Sequence, residues 1–383
     1  MDFTPTEEQQ LVADMDRGFA EEKIRPSTRE WDEAQAFPDE IWRELAELGL
    51  LGVVIPEEYG GAGLGYLEYV TVIEELARVD PAVALSVAAH NSLCTGHIYT
   101  AGNEEQKSRY LPKLATGEWI GAWGLTEPEA GSDAAGTRTM ARLNEDESAW
   151  VLNGAKTFIT NGSYAGVAVI LAVTDASAGN HGISAFILEA DTDGFSVGRK
   201  EDKLGCRASN TVELILENCV IPRESLLGEL NHGFVDALRV LDAGRISIAA
   251  MALGLAQGCL DASMSYAMER HQFGKPIGSF EAIQAKLVTM ASEVQAARNL
   301  VWHVSVLKNA GDYVKRQASE AKLYSSEIAV RCAEQAVQIH GGYGFVKDYG
   351  VEKFYRDVKL CTIGEGTSEM QRLVISRELS QRV

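Results

Sequence analysis

The sequence predicts a multi-domain α+β protein: an N-terminal helical domain, a middle β-barrel or sandwich domain and a C-terminal helical bundle. Two observations carry this. A chain of 383 residues exceeds what one simple core accommodates. Its hydrophobic periodicity also changes character near residue 120 and again near residue 230. The three regions are therefore taken as residues 1–120, 121–230 and 231–383.

In the first region, helical periodicity runs over Thr6–Glu22, Asp39–Leu48, Tyr66–Arg78 and Glu104–Thr116, with breaks at Gly60-Gly61 and Pro81. In the second, Ala149–Leu152, Val167–Val173, Gly182–Leu188 and Thr211–Leu216 are short β-branched or aromatic runs between Asn-Gly, Asp and Gly turns. In the third, long apolar-periodic stretches return at Phe234–Met264, Phe280–Asn309, Arg316–His340 and Glu369–Leu379. Long helices with short connections predict a bundle. The longest apolar stretch, Ile246–Ala256, is short, rich in small residues and interrupted by Ser247 and Gly254. That suits a close-packed internal helix rather than a membrane span.

Composition narrows the function classes. Hydrophobic residues make up 46% and charged residues 23%, ordinary for a soluble globular protein. The formal charge of −20 argues against nucleic acid, whose phosphates need clustered Lys and Arg. Residues 1–60 alone hold 16 acidic against 5 basic residues, interleaved with apolar ones as on a solvated helical face. Cys94, Cys206, Cys219, Cys259, Cys332 and Cys361 show no CxxC pair, so they read as reduced buried thiols and a cytoplasmic location is expected. His90, Cys94 and His97 lack a second ligand pair, so zinc is not expected. Met1-Asp2-Phe3-Thr4 has neither a basic start nor an apolar core, unlike a secretory signal or transit peptide.

Chemistry concentrates in a few segments. Thr362–Arg372 places Glu365 between Gly364 and Gly366, just before an amphipathic helix for which Ser368 and Gln371 form a capping-box pattern. A carboxylate on a flexible elbow beside a helix N-terminus can take a proton from a carbon acid. Taken alone, the run is equally compatible with a solvated surface loop. Gly124–Asp133 sets Thr126 and Ser132 around Pro128 and Gly131, where hydroxyls and close backbone approach suit ring heteroatoms or phosphate, or simply a turn. Phe158-Ile159-Thr160 puts an aromatic and a hydroxyl on one strand face. Arg270–Gly274 offers a guanidinium suited to pyrophosphate, and Gln338–Phe345 ends a helix in a glycine turn. Gly61-Ala62-Gly63 meets Tyr66 where a dinucleotide fingerprint needs Gly, and no G-x-S-x-G elbow is present. A nicotinamide dehydrogenase and a serine hydrolase therefore lose ground.

In chain order, Gly124–Asp133, Arg270–Gly274, Gln338–Phe345 and Thr362–Arg372 together resemble the acyl-CoA dehydrogenase flavoproteins, short-chain and branched-chain members in particular, along essentially the whole chain. The resemblance implies the layout above with a four-helix C-terminal bundle, a homotetramer, and FAD bound between domains and across a subunit contact. It implies α,β-dehydrogenation of an acyl-CoA to the trans-2-enoyl-CoA, as in fatty acid β-oxidation, with electrons passing to an electron-transfer flavoprotein. Glu365 would be the base. Trp123, Leu125, Thr126, Ser132, Phe158, Ile159, Thr160, Thr367 and Glu369 would contact FAD. Arg270, Gln272, Phe273, Gln338, Gly341 and Gly342 would meet the FAD across the subunit contact or at its adenine end. Ser132, Asp242, Arg245 and Gly366 would contact substrate, and no metal is implied.

Four departures bear on these roles. Glu129 stands where Gly is usual, and Phe158 where Trp is frequent. Gly244 occupies the position from which branched-chain members present their base, leaving the chemistry to Glu365. Gly364 replaces the Tyr of many straight-chain members, which predicts room for a branched, cyclic or bulky acyl group. An oxidase handing electrons to oxygen and a non-catalytic acyl-CoA-binding scaffold are the rivals. A decarboxylating glutaryl-type enzyme is disfavoured because no Arg lies between Arg78 and Arg109.

Overall fold

In the computed structural model, residues 6–380 are described; Met1-Asp2-Phe3-Thr4 falls outside them. The N-terminal region comprises α1 (Glu7–Phe19), α2 (Thr28–Ala34), α3 (Asp39–Glu47), α4 (Tyr66–Val79), α5 (Pro81–Ala88), α6 (Gly96–Ala101) and α7 (Glu104–Ala115). Its helix starts are written into the chain. Thr6 and Gln9 form a reciprocal capping box on α1, and Asn103 and Gln106 do the same on α7. Pro81, expected as a break, instead opens α5: Asp80 caps it by accepting from the Ala82 N–H at 2.8 Å, and proline suits the first helical turn. Helix α5 leaves no periodic mark in the sequence, because every residue in it is buried and no polar face shows the period.

The middle region holds β1 (Ile120–Gly124), β2 (Met140–Leu143), β3 (Ala149–Thr160), β4 (Ala165–Val173), β5 (Ile183–Glu189), β6 (Phe195–Lys200), β7 (Thr211–Pro222) and β8 (Leu226–Leu227). They form one sheet in the order β6-β7-β3-β2-β4-β5-β8, with β1 parallel to β4. Central β4 is buried almost throughout, as its unbroken apolar sequence requires.

The C-terminal region contains α8 (Gly233–Glu269), a small hairpin of β9 (His271–Gln272) and β10 (Lys275–Pro276), α9 (Glu281–Asn309), α10 (Lys315–His340), α11 (Val351–Asp357) and α12 (Ser368–Ser380). By length and composition α8 could cross a membrane, but its apolar window is mostly buried within the protein. It packs on α4 backbone to backbone: a Cβ at Gly254 would lie 2.1 Å from the Glu74 carbonyl oxygen. This small-residue seam joins the first region to the bundle.

All three regions meet at one buried ion cluster. Lys353 Nζ lies 3.0 Å from Asp80 Oδ1 and 2.6 Å from Asp357 Oδ2, while Asp357 Oδ1 accepts from the Cys206 N–H at 2.6 Å. Removing one partner of such a cluster strands the others in a low-dielectric interior. Lys353→Met is expected to lower unfolding free energy by about 3–5 kcal/mol in a urea titration of the holoenzyme.

Candidate active site

Glu365 sits on a turn between the 3-10 segment Val358–Thr362 and α12. Its φ is +53° and that of Gly366 is +93°, so two consecutive residues are left-handed. Glycine tolerates this freely, whereas a side chain there costs about 1–2 kcal/mol. The surroundings hold the turn. Gln371 Nε2 donates to the carbonyls of Glu365 (3.2 Å) and Gly366 (2.9 Å), and Lys322 Nζ donates to Gly366 O at 2.7 Å.

The expected capping box is corrected here. Thr367, not Ser368, caps α12: its hydroxyl accepts from the Met370 N–H at 3.3 Å, and its carbonyl accepts from the Gln371 N–H at 2.9 Å. The Gln371 side chain reaches past the cap to the elbow, and the Ser368 hydroxyl is buried without a partner. One residue of register turns a generic helix start into a brace for Glu365.

The Glu365 carboxylate lies against α8. An added Cβ at Gly244 would stand 1.8 Å from Glu365 Oε2, so the missing side chain is the space the carboxylate occupies. Oε2 is buried and has no hydrogen-bond partner among the described residues. Burial pushes the Glu365 carboxyl up to about 7, against the opposing pull of Lys322 and Arg245. On either side of Gly244, Asp242 and Arg245 pair at 2.6 Å, both nearly buried. A cavity of about 220 Å³ adjoins this stretch of α8, lined in part by Val54, Tyr66, Tyr69, Tyr99, Val240 and Ala243. A larger cavity of about 330 Å³ between α1, α4 and α9 is lined by paired charges, Arg17 with Glu75 at 2.7 Å and Arg298 with Glu74 at 2.5 Å. Ala13, Leu67 and Trp302 also line it, but none of its lining residues belongs to the candidate site.

On the sheet domain, Trp123 is half-buried on β1 and donates its indole N–H to His97 Nδ1 at 3.0 Å. Leu125 is buried, Thr126 half-buried and Ser132 exposed. The loop carrying them is pinned by Glu127, a residue the sequence reading passed over. Its carboxylate accepts from Lys156 Nζ at 2.6 Å, from the Arg138 and Thr139 N–H groups at 2.6 and 3.0 Å, and from the Thr137 hydroxyl. Although burial opposes ionisation, Lys156 and these hydrogen bonds hold Glu127 down to about 2. The charge of Glu129 is answered by an exposed pair with Arg138.

Phe158 and Thr160 both lie toward the more exposed side of β3, as the strand period requires, but the strand bulges between Lys156 and Ile159. The bulge gives Phe158 a φ of +58° and leaves its ring 64% exposed. Ile159 keeps its side chain in the sheet core at 2% exposure, so the contact expected of it falls to its backbone. A third group lies at the surface. Arg270 stacks over the Tyr343 ring at 5.3 Å, which brings together two motifs some seventy residues apart. Phe273 is left-handed at φ +52° and 94% exposed, Gln272 and Gln338 are exposed, and nothing lies within 4 Å of a Cβ built at Gly341 or Gly342.

These residues fit a flavin dinucleotide. A half-buried indole and an exposed phenyl ring offer faces to a planar ring, while Thr126, Ser132 and Thr160 carry hydroxyls. The partnerless Ser368 hydroxyl and Thr367 stand at the N-terminus of α12, and open glycine backbone follows α10.

Known proteins resemble the chain along its whole length. Residues 6–118, 122–219 and 231–380 match the N-terminal, middle and C-terminal domains of acyl-CoA dehydrogenases respectively. A probable acyl-CoA dehydrogenase of Bacillus subtilis is 48% identical over 99% of this chain and 100% of its own. The butyryl-CoA dehydrogenase of Megasphaera elsdenii superposes with a TM-score of 0.97 at 43% identity, covering 99% of this chain and 100% of its own. A chain in the structure described as the electron transferring flavoprotein of Acidaminococcus fermentans matches equally well, with a TM-score of 0.97 at 46% identity and 99% of each chain covered.

Proposed function

The chain belongs to the acyl-CoA dehydrogenase family and is an FAD-dependent enzyme that dehydrogenates acyl-CoA, and on that premise we propose that Glu365 is its catalytic base. One observation carries the reading: the carboxylate is seated in the notch at Gly244, with a buried oxygen that no group among the described residues satisfies. A base that ionises near neutrality is matched to proton abstraction at the operating pH.

In this reading the ionised Glu365 takes the proton α to the thioester carbonyl. Its own backbone N–H, for which no hydrogen bond is recorded among the described residues, donates to the thioester oxygen as enolate character develops. FAD, held by the residues named below, would supply the acceptor for the hydride leaving the β carbon, so that the product is the trans-2-enoyl thioester. The Asp242–Arg245 pair, rigid on α8, orients the pantetheine arm and backs the base, with Ser132 and Gly366 completing the substrate contacts. Trp123, Leu125, Thr126, Ser132, Phe158, Thr160, Thr367, Glu369 and the Ile159 backbone hold the flavin of their own subunit. Arg270, Gln272, Phe273, Gln338, Gly341 and Gly342 serve the flavin at a contact with a second copy. The near-complete exposure of Phe273 supports that contact, and a homotetramer is the assembly this reading takes.

Electrons pass to an electron-transfer flavoprotein, a reading supported by the Acidaminococcus match, and the free buried cysteines support a cytoplasmic location. Hydrogen peroxide formed without an added acceptor would indicate oxygen instead. The acyl group is branched or cyclic: the heavy atoms nearest a Cβ at Gly364 belong to Leu360 and come no closer than 3.5 Å, ordinary contact distance, so the glycine leaves unfilled the place that a larger residue would take beside the base. The test is the visible spectrum of the purified yellow protein under a panel of acyl-CoAs. At least one branched or cyclic substrate is expected to bleach the flavin faster than butyryl-CoA, and the reverse order throughout would overturn the substrate assignment.

A further inference from the structure

We propose that Lys322 is a positioning residue for this reaction: from α10 its ammonium braces the Glu365–Gly366 turn and is the uncompensated positive charge that keeps the base ionisable. The inference rests on the reading of Glu365 as base.

The argument starts from a contrast among buried lysines. Lys156 is matched by Glu127, and Lys353 by Asp80 and Asp357. Lys322 is 0% exposed, yet among the described residues it has no carboxylate within ion-pair distance. Its recorded partner is the carbonyl of Gly366, one residue beyond the base. Burying an ammonium without a counter-charge is costly, so a lysine in that position needs a reason other than stability.

The charges around the elbow supply the reason. Arg245 faces Glu365 from α8, but its charge is taken up by Asp242 at 2.6 Å. Tyr69 approaches from α4, and its hydroxyl, bonded to Ser247 at 2.9 Å, is pushed far up by burial and stays neutral. Cys361, on the segment before the elbow, is a buried thiol pushed up to about 12, again neutral. Glu369 on α12 is exposed to solvent. That leaves Lys322 as the positive charge not neutralised by a neighbour. Burial lowers it to about 8, which still leaves it protonated at neutral pH. Gln371 and Lys322 share the Gly366 carbonyl from two helices, so the neutral amide supplies geometry and the ammonium supplies geometry and charge.

The test is an infrared difference titration of the holoenzyme in the protonated-carboxyl region, with Glu365→Gln as the blank that identifies the band. In Lys322→Met the midpoint is expected to rise by about one pH unit, the scale on which a nearby opposite charge acts. The ascending limb of the bleaching rate should move with it. Lys322→Arg should return the midpoint to within about 0.3 unit of wild type. Gln371→Leu should slow bleaching without moving the midpoint. A Lys322→Met protein that retains FAD and titrates as wild type would overturn the inference, and so would a midpoint shift in Gln371→Leu. If Lys322→Met cannot be purified with FAD, the arginine variant decides: a midpoint displaced by a full unit with charge retained rejects the charge role, and a wild-type midpoint upholds it. Full bleaching by Glu365→Gln would sink the base reading instead, while the infrared midpoint would still report on Lys322.

Discussion

Glu365→Gln is expected to yield a folded yellow protein whose flavin no longer bleaches with acyl-CoA, slower than wild type by at least the 10²–10⁴-fold that general-base catalysis provides. Glutamine keeps the length and planarity of the side chain, so it fits the same notch against Gly244 and leaves the Gln371 and Lys322 bonds to the turn in place. Only the capacity to accept a proton is lost. The wild-type profile provides a second check. Because the acting form is the carboxylate and burial raises its ionisation to about 7, kcat/KM should be low in acid, climb through about pH 7 and level off above it. Any residual rate in Glu365→Gln should lack that limb. Stopped-flow bleaching from pH 5.5 to 9 measures both, and a glutamine variant within tenfold of wild type would place the base elsewhere.

How much of this was legible in the sequence depends on the kind of feature. Periodic elements were: α4, α7, α9 and α10 lie within one or two residues of their expected bounds, because each has an apolar stripe against a polar face. Elements buried on all sides were not. Helix α5 shows no face, and the short β1, β2, β6 and β8 draw their existence from neighbouring strands rather than from local pattern. At the site, Glu365 was visible because glycines flank it. Its brace Lys322 was not, lying 43 positions upstream in an ordinary helical stretch, and neither was Glu127, which pins the separate Leu125–Ser132 loop only through Lys156 from across the sheet. The one-residue error at the α12 cap has the same origin. Thr367 and Ser368 are chemically equivalent caps, and only the strain at Glu365 and Gly366 fixes which of them begins the helix.

Gly244→Ala is the second large effect, and it separates a structural glycine from a catalytic vacancy. The alanine methyl would be placed 1.8 Å from Glu365 Oε2 and 2.6 Å from its Cδ, far inside contact distance. Helix α8 cannot yield, since on the same helix Gly254 already rests against the Glu74 carbonyl. The carboxylate therefore moves, and displacing a reacting group by about 1 Å costs on the order of 10²-fold in rate. Stability should fall much less, because the elbow can swing outward into a site that is only part-buried. A thermal melt within about 3 °C of wild type, with kcat down at least 50-fold and FAD retained, is the expected pair of results. The double variant Gly244→Glu with Glu365→Gly then asks whether the vacancy is symmetric. A carboxylate projecting from α8 would enter the volume that Glu365 vacates, and bleaching should recover above the Glu365→Gly background by tenfold or more, the smaller part of what a positioned base supplies. No recovery, in a double variant that still holds its flavin, would mean that the elbow contributes its backbone N–H and its angle of approach as well as its acid group.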